Sequence, residues 1–236
     1  MNIQNAVVFI TGANRGLGKA IAQEALERGA KKVYAASREL ERINLPGVIP
    51  VKLDVTNAND IEAAAQACSD VNVLINNAGV AAPVGFLDEG AVDATRWMLE
   101  ANFFGPLRLT RAFKPALLQN GPSAVLNVLS VLSWMAPKPL SVYGASKSAA
   151  WGLTNGLRNE LSNSSILVSG LHVGLIDTDL TRGFDAPKLS TSAVAKSAWD
   201  GLLAGLPEIL VDEMSAQVKQ GLSVEQAVYL HAAAMA

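Results

Sequence analysis

The sequence Ala6-Val-Val-Phe-Ile-Thr-Gly12-Ala-Asn-Arg-Gly16-Leu-Gly18 is the segment most informative about the architecture of this chain. Its apolar run is typical of a strand buried on both faces, and a helical pattern begins directly after the glycines. Gly12 permits a tight turn, while Gly16 and Gly18 let a pyrophosphate and the strand approach the helix N-terminus, whose free amides and dipole favour an anion. The stretch therefore predicts a dinucleotide-binding turn with cofactor contacts from Gly12, Asn14, Arg15, Gly16, Leu17 and Gly18.

Six further segments rich in Val, Ile and Leu are predicted strands: Lys32 to Ala36, Val48 to Leu53, Val71 to Asn76, Ala124 to Leu129, Ile166 to Val173 and Ile209 to Val211. The predicted helices are Leu17 to Arg28, Asn59 to Cys68, Ala91 to Leu118 with a break near Gly105-Pro106, Ser141 to Leu161 and Ser192 to Leu203. Strands that alternate with helices of this length form βαβ units. We expect an α/β fold of the Rossmann type: a doubly wound, seven-stranded, mostly parallel sheet with helices on both faces.

The composition suits a single domain over residues 1–236, with a C-terminal tail at about 222–236. Half of the residues are apolar and 17% are charged, which fits a large core. A net charge of −2 predicts no nucleic-acid partner and no binding to an anionic membrane. Cys68 is the only cysteine, and we expect it to be an inert, buried thiol in a reducing compartment. No basic leader and no apolar run of about 18 residues is present, so we expect a cytoplasmic protein.

A tyrosine and a lysine in the central region of the chain predict acid–base chemistry. Tyr143 and Lys147 are one helical turn apart, and Ser130 precedes Tyr143 at the end of an apolar run. A tyrosine acts as an acid or base near neutral pH only if its pKa falls from about 10, and a neighbouring ammonium group lowers it. Hydride delivered to a carbonyl carbon leaves charge on the oxygen, which a hydrogen-bond donor and an acid must meet. The pattern indicates nicotinamide-dependent carbonyl chemistry.

From Val7 to about Val211 the chain resembles the short-chain dehydrogenase/reductase family in its single-domain form. The resemblance rests on the glycine turn and on Asp54-Val55, Asn76-Asn77-Ala78-Gly79, Asn102, Ser130, Tyr143, Lys147 and Gly174-Leu-Ile-Asp-Thr178. It implies an oxidoreductase that interconverts a ketone or aldehyde and an alcohol. It also implies a homodimer or homotetramer built on the two long helices, Ala91 to Leu118 and Ser141 to Leu161.

The resemblance assigns four catalytic roles. Ser130 donates a hydrogen bond to the substrate carbonyl, and Tyr143 protonates its oxygen. Lys147 lowers the pKa of Tyr143 and binds the nicotinamide ribose, while Asn102 holds a water that links Lys147 to solvent. Ser133 is a rival for the role of Ser130, although the interval to the tyrosine and the position at the strand end favour Ser130.

Cofactor choice is expected at the end of the second strand, where Ser37 and Arg38 stand in place of an acidic residue. An arginine can bind a 2′-phosphate with its planar fork, whereas an acid would accept from a ribose hydroxyl. Arg15 in the glycine turn resembles the second basic residue of NADP-preferring members, so we expect NADP(H) in preference to NAD(H). Glu39 offers a ribose acceptor as the alternative, and both arginines are otherwise solvated surface residues.

The resemblance implies further contacts along the cofactor: Asp54 and Val55 at the adenine, Asn76, Ala78 and Gly79 on the ribose side, and Gly174, Ile176 and Thr178 at the nicotinamide. The family commonly has Pro-Gly before this threonine, whereas this chain has Val173-Gly174. That departure predicts a less rigid nicotinamide loop.

The substrate pocket is predicted from the loops that follow the catalytic strands. Its expected walls are Val80, Trp134, Met135, Leu175 and Leu180, with a lid at about 180–190. Trp134 and Met135 would equally cover the core. A small carbonyl or alcohol substrate fits these loops, and no residues have metal-ligand spacing.

Two other interpretations stay open at this point. The first is a redox-sensing regulator that binds NADP without turnover, and the second is a scaffold subunit, because a fold alone does not imply activity. Of the two histidines, His172 lies within a strand and is expected to pack in the core. His231 belongs to a tail that ends Ala232-Ala-Ala-Met-Ala236, and the capping box Ser223-Val-Glu-Gln226 predicts a last short helix there.

Overall fold

The computed structural model describes residues 1–230, and a seven-stranded sheet lies at their centre. The strands are β1 (Val7–Thr11), β2 (Lys32–Ser37), β3 (Ile49–Lys52), β4 (Val73–Asn76), β5 (Ser123–Val128), β6 (Ile166–His172) and β7 (Glu208–Leu210). Each lies where the hydrophobic runs predict a strand, with small differences at the ends.

The strand order is β3-β2-β1-β4-β5-β6-β7, and every neighbouring pair is parallel. The predicted Rossmann-type sheet is confirmed, and it is wholly rather than mostly parallel. The chain winds outward from β1 to β3 and then returns to β4 on the other side of β1. At such a switch point the loops after the two strands diverge and leave a crevice at their carboxyl ends.

The helices pack on both faces of the sheet because successive strand residues point to opposite sides. They are α1 (Gly16–Glu27), α2 (Ala58–Ala67), α3 (Ala91–Leu99), α4 (Gly105–Gln119), α5 (Ser141–Glu160), α6 (Thr191–Leu203) and α7 (Glu213–Gln220). Val8 and Ile10 face α1 and α6, whereas Val7 and Phe9 face α2, α4 and α5. Both faces of β1 are therefore buried.

The predicted break in the long helical stretch is a π-helical turn, Glu100–Phe104, between α3 and α4. A Cβ at Gly105 would lie 3.2 Å from Val55, so α4 begins in close contact with the loop after β3. Gly105 permits that approach, and Pro106 is tolerated there because the first turn of a helix has no partner for its amide.

The C-terminal region differs from the prediction. Asp212 caps the unpredicted helix α7 by accepting from the Ser215 amide at 2.7 Å. Only Ser215 and Val218 of α7 are buried, so the sequence has no apolar stripe from which this helix could be predicted. No helix begins directly after Ser223, because Ser223 ends a short 3-10 turn and 224–226 form a bend and turn. A further 3-10 turn follows at 228–230. His231 and the alanine-rich end lie outside the described residues.

Candidate active site

The glycine turn forms a cradle at the N-terminus of α1. Gly12 and Gly16 have φ angles of 66° and 54°, a conformation that side chains other than glycine rarely adopt. A Cβ at Gly18 would lie 2.3 Å from the Gly12 carbonyl oxygen, so α1 packs against the turn only with glycine there. No side chain caps the first turn of α1. Its free amides and the close approach fit a pyrophosphate.

Thr11 joins this turn to the loop after β4. Its hydroxyl oxygen accepts from the amides of Asn77 and Ala78 at 3.0 and 2.9 Å. The Asn77 side chain in return donates to the carbonyls of Thr11 and Gly12. The two loops at the switch point are therefore held together as one wall, and Asn77, part of the predicted Asn76-Asn77-Ala78-Gly79 motif, acts as its brace.

Asn76 does not take the cofactor contact predicted for it. Its side chain points into the sheet layer, where Nδ2 donates to Asn127 at 2.8 Å and to Thr110 at 3.4 Å. Asn127 continues this buried chain to Thr154. Successive residues of a strand point to opposite faces of the sheet, and the side chain at position 76 points into the buried core and not toward the cavity.

One cavity of about 1030 Å³ extends along the carboxyl ends of the strands. Most of the predicted cofactor residues line it: Gly12, Asn14, Arg15, Gly16, Leu17, Gly18, Ser37, Arg38, Asp54, Val55, Ala78, Gly79, Gly174, Ile176 and Thr178. Ser130, Tyr143 and Lys147 line it as well. Residues separated by more than a hundred positions thus share one surface.

Three arginines surround the end of the cavity next to β2. Arg38 is exposed, Arg15 pairs with Asp179, and Arg42 pairs with Glu39. The pKa of the nearby Asp54 is lowered, because hydrogen bonds from Thr56 and the charge of Arg38 outweigh its burial. This end of the cavity therefore offers positive charge to an anion, and Glu39 is already engaged by an arginine.

Ser130 follows β5 and caps the 3-10 turn Val131–Ser133, and its hydroxyl oxygen accepts from the Leu132 amide at 3.1 Å. Ser133 is buried and lies outside the cavity lining, where its hydroxyl oxygen faces the Ser130 amide at 3.4 Å. The geometry therefore favours Ser130 over its rival.

Tyr143 and Lys147 project from the first turns of α5. Burial raises the pKa of Tyr143 to about 12, and the Ser130 hydroxyl lowers it only in part. Burial lowers the pKa of Lys147 to about 8. The sequence predicts that Lys147 lowers the pKa of Tyr143. With the protein groups alone that pKa stays above its ordinary value, because desolvation is the largest effect on the pKa of both side chains.

Asn102 lies in the π-helical turn and braces the loop after β4. Its amide nitrogen donates to the carbonyl of Val80 and to the Ser146 hydroxyl, both at 2.9 Å. Its oxygen accepts from the Val80 amide at 2.8 Å. Both amide hydrogens are used within the protein, and the side chain holds Val80 at the edge of the cavity. The water contact expected of Asn102 stays a prediction.

The structure does not bring three of the predicted substrate contacts to the cavity. Trp134 and Met135 pack with Val131 and Val218 in a separate buried cluster, and neither lines the cavity. Leu175 is also absent from the lining, and its carbonyl accepts from the Leu189 amide at 2.9 Å. The turn after Ser130 directs the tryptophan and methionine away from the site and under α7. Val80 and Leu180 do line the cavity.

Asp212 supports the nicotinamide loop where the family's proline is missing. Its carboxylate accepts from the Gly174 amide at 2.6 Å while also capping α7. A Cβ at Gly174 would lie 3.3 Å from that carboxylate. The unpredicted helix α7 thus ties down a loop for which the sequence predicts low rigidity.

The loop from Asp177 to Lys188 borders the cavity and is closed at its base by a parallel bridge between Ile176 and Leu189. The Asp179 carboxylate pairs with both Arg15 and Arg182, so the loop is joined to the glycine turn across the cavity. Exposed pairs of this kind contribute little energy but limit the positions of the loop.

Several lining residues were missed by sequence reasoning. They come from α3 and its π-helical turn and from the loop after β2: Arg42, Arg96, Trp97, Glu100 and Ala101. Thr181, Arg182 and Lys188 also line the cavity, within the lid predicted at about 180–190. The helical spacing of Trp97 and Ala101 ahead of Asn102 is the one signal that could have found them.

Residues 1–230 lack two features that would indicate other kinds of function. No helix there is both long enough and apolar enough to cross a membrane. Likewise, in that part of the chain, no three or more His, Cys, Asp or Glu side chains come together as a metal site would require.

The chain is similar to proteins of one family. The family model described as short chain dehydrogenase matches residues 6–188. A crystal structure of a short chain dehydrogenase from Burkholderia cenocepacia in complex with NADP is 38% identical, covers 98% of both chains and has a TM-score of 0.93. A short chain dehydrogenase/reductase from Burkholderia phymatum in complex with NAD shares the fold at 24% identity, covering 94% of this chain and 95% of that chain with a TM-score of 0.82.

A curated relative, the short chain dehydrogenase tazN of Aspergillus terreus, is 34% identical over 205 residues. The match covers 79% of this chain and 44% of that protein, so this chain spans less than half of the relative's length. The family-model match, the relatives and the shared architecture agree with the cradle, the cavity and the placement of Ser130, Tyr143 and Lys147. The chain therefore belongs to the short-chain dehydrogenase family of oxidoreductases.

Proposed function

We propose that this chain is an NADP(H)-dependent oxidoreductase that interconverts a ketone or aldehyde and an alcohol, with Tyr143 as the acid and base. The observation that carries the proposal is the convergence of Ser130, Tyr143 and Lys147 on the cavity that also contains the glycine cradle. The cofactor, when bound, supplies or accepts the hydride.

Ser130 and Tyr143 act on the substrate oxygen in this proposal. With its pKa raised to about 12, the Tyr143 phenol carries its proton at neutral pH and can donate it to the oxygen during carbonyl reduction. The Ser130 hydroxyl has one acceptor site used by the Leu132 amide, which leaves its hydrogen for the same oxygen. Two donors then meet the negative charge that develops there.

Lys147 anchors the region between substrate and cofactor. Its buried ammonium donates to the Val128 carbonyl at 2.9 Å, which leaves two hydrogens for a ribose hydroxyl and for the proton path of Tyr143. Asn102 contributes by holding Val80 and Ser146 in place. In this role it shapes the cavity wall and does not touch the substrate.

The choice of NADP(H) rests on charge. Arg38 is exposed at the end of β2, and no acidic group in residues 1–230 pairs with it directly. Ser37 beside it lines the cavity. Arg42 adds a third cation that sequence reasoning did not include, and its partner Glu39 is thereby less available as a ribose acceptor. The solved relative from Burkholderia cenocepacia, in complex with NADP, supports the same choice.

The substrate class follows from the lining near Tyr143. Val80 and Leu180 are the predicted substrate contacts that line the cavity, and the loop 177–188 closes one side. We infer a small ketone, aldehyde or alcohol with an apolar substituent. A lid at about 180–190 follows from the same loop, because its ends are tied together while its middle is exposed.

The test is NADPH oxidation, followed by absorbance, with a panel of aliphatic and aryl ketones and aldehydes, and NADP⁺ reduction with the matching alcohols. Binding of NADPH is measured separately by fluorescence. Turnover with at least one compound is the expected result. Tight NADPH binding without turnover across the panel would contradict the proposal and would instead fit a binding protein.

A further inference from the structure

His172 lies fully buried at the end of β6, directly behind Ser130. Its Nδ1 is 3.3 Å from the Ser130 carbonyl oxygen, which also accepts from the Ser133 amide at 2.9 Å. The imidazole stacks on Trp134, with ring centres 4.0 Å apart and planes 14° apart. The ring is therefore held in one orientation by the strand, the indole and the carbonyl.

The main-chain pairing around Ser130 explains why a side chain, and not a strand amide, bonds to the Ser130 carbonyl. The amides of Leu129 and Val131 donate to the carbonyls of Leu171 and Val173 at 2.8 and 3.0 Å, so these two residues extend the pairing with β6. The Ser130 carbonyl between them is not part of that ladder. It meets the side chain of His172, which lies between the two accepting residues of β6.

The contact is a hydrogen bond in only one tautomer of the ring. A carbonyl oxygen can only accept, so the bond requires that Nδ1 carry the hydrogen. Burial lowers the pKa of His172 to about 4, and a neutral ring then has an unprotonated Nε2. That nitrogen faces Glu208 at 3.9 Å, a carboxylate already bonded to Trp151 and Lys219. Arg158, the other charged group nearby, donates to the Val168 and Pro207 carbonyls.

We propose that His172 is a positioning residue for the reaction: its Nδ1–H holds the Ser130 carbonyl and thereby orients the turn that aims the Ser130 hydroxyl at the substrate. A catalytic hydroxyl contributes fully only when its direction is fixed, and an error of a fraction of an ångström weakens it. The inference rests on the proposed function, because it gives His172 a task in the same reaction.

The first test needs no turnover. The chain has two histidines, so nitrogen-15 labelling of histidine gives two ring spectra, and His231→Gln assigns them. We expect His172 to be neutral with hydrogen on Nδ1 at pH 7. Hydrogen on Nε2 would overturn the proposal, because such a ring cannot donate to the carbonyl. This result is independent of whether a carbonyl substrate has been found.

The second test compares His172→Leu with His172→Asn. Both side chains branch at the same carbon, but only asparagine keeps a donor near the place of Nδ1. We expect the leucine variant to lower kcat about threefold to tenfold, the effect of one hydrogen bond, and the asparagine variant to recover most of it. The Kd for NADPH should stay within about twofold in both. Equal kcat values in two folded variants would overturn the proposal.

A third variant keeps the test decisive if His172→Leu does not fold. His172→Gln carries its amide one bond farther, toward Glu208, so it should lose kcat where His172→Asn does not. In addition, Ser130→Ala should remove the difference between histidine and its replacements. A purely structural role would lower residual activity in both backgrounds alike, and that outcome would also overturn the proposal.

Discussion

Lys147 donates from its ammonium group to the main-chain carbonyl of Val128 at 2.9 Å. Val128 ends β5, so this bond ties α5 to the carboxyl edge of the sheet. It holds the ammonium nitrogen 5.8 Å from the centre of the Tyr143 ring, and this nitrogen makes no hydrogen bond to the phenol oxygen. The position of the ammonium group is therefore set by a main-chain hydrogen bond, and its pKa depends on desolvation.

Tyr143→Phe should abolish turnover while NADPH binding survives, because the ring still packs but the proton donor is gone. General acid catalysis contributes about 10²- to 10⁴-fold, so kcat should fall by that factor. Steady-state kinetics and fluorescence titration measure the two effects. Tyr229→Phe, at an exposed tyrosine, is the matched control and should behave as the wild type. A Tyr143→Phe variant that kept more than a few per cent of kcat would remove the assignment.

The buried charge of Lys147 should appear in the pH dependence of stability. Its folded pKa, about 8, lies below the ordinary value of 10.5, so its contribution is present above the unfolded pKa and is lost as the pH falls through about 8. Relative to Lys147→Met, the wild type should gain roughly 2 kcal/mol of unfolding free energy between pH 7 and pH 10. Urea denaturation at both pH values measures this. Parallel curves for the two proteins would show that Lys147 is not desolvated.

Arg38→Ala should raise the KM for NADPH by about 10- to 100-fold, since a charge-assisted hydrogen bond contributes roughly 1.5–3 kcal/mol. The KM for NADH should barely change, because that cofactor has no 2′-phosphate. Arg15→Ala should act in the same sense but more weakly, because Arg15 is shared with Asp179. Arg111→Ala, at an exposed arginine of α4, is the control. Equal losses for both cofactors would mean that Arg38 has a structural role.

Gly18→Ala should disrupt the cofactor cradle. The new Cβ would lie 2.3 Å from the Gly12 carbonyl oxygen, so either α1 or the turn must move. We expect loss of NADPH binding and a lower melting temperature. Gly221→Ala has no atom within 4 Å of its new Cβ and should leave both unchanged. Normal NADPH affinity in Gly18→Ala would contradict the role of the close approach.

Self-association is expected through α3, α4 and α5. Trp97 and Phe104 are 48% and 39% exposed there, whereas Leu157 of α5 is buried inside the fold. Light scattering should give two or four times the chain mass of 24.7 kDa, and Phe104→Glu should lower it. Ile49→Glu on the edge strand β3 should not. A wild-type mass of one chain would contradict the assembly.

The sheet, the glycine turn and the order of the motifs could be predicted from the amino-acid sequence alone. Strands buried on both faces have continuous apolar runs, and glycine at positive φ is required locally, so both can be read from neighbouring residues. The spacing of Tyr143 and Lys147 is also local, because one turn of α5 places both on the same face. These features do not depend on which distant segment packs nearby.

The contacts that depend on side-chain direction and on long-range packing are set by the folded chain and could not be predicted from the sequence. Asn76 and Asn77 are adjacent, yet the first enters the core and the second braces the glycine turn, because the chain leaves β4 between them. Trp134 follows Ser130 closely but faces His172, since the turn at Ser130 directs it under α7. A carboxylate from Asp212 replaces the missing proline's constraint. Desolvation is likewise a property of the assembled site, and it reverses the pKa shift that the spacing of Tyr143 and Lys147 alone predicts.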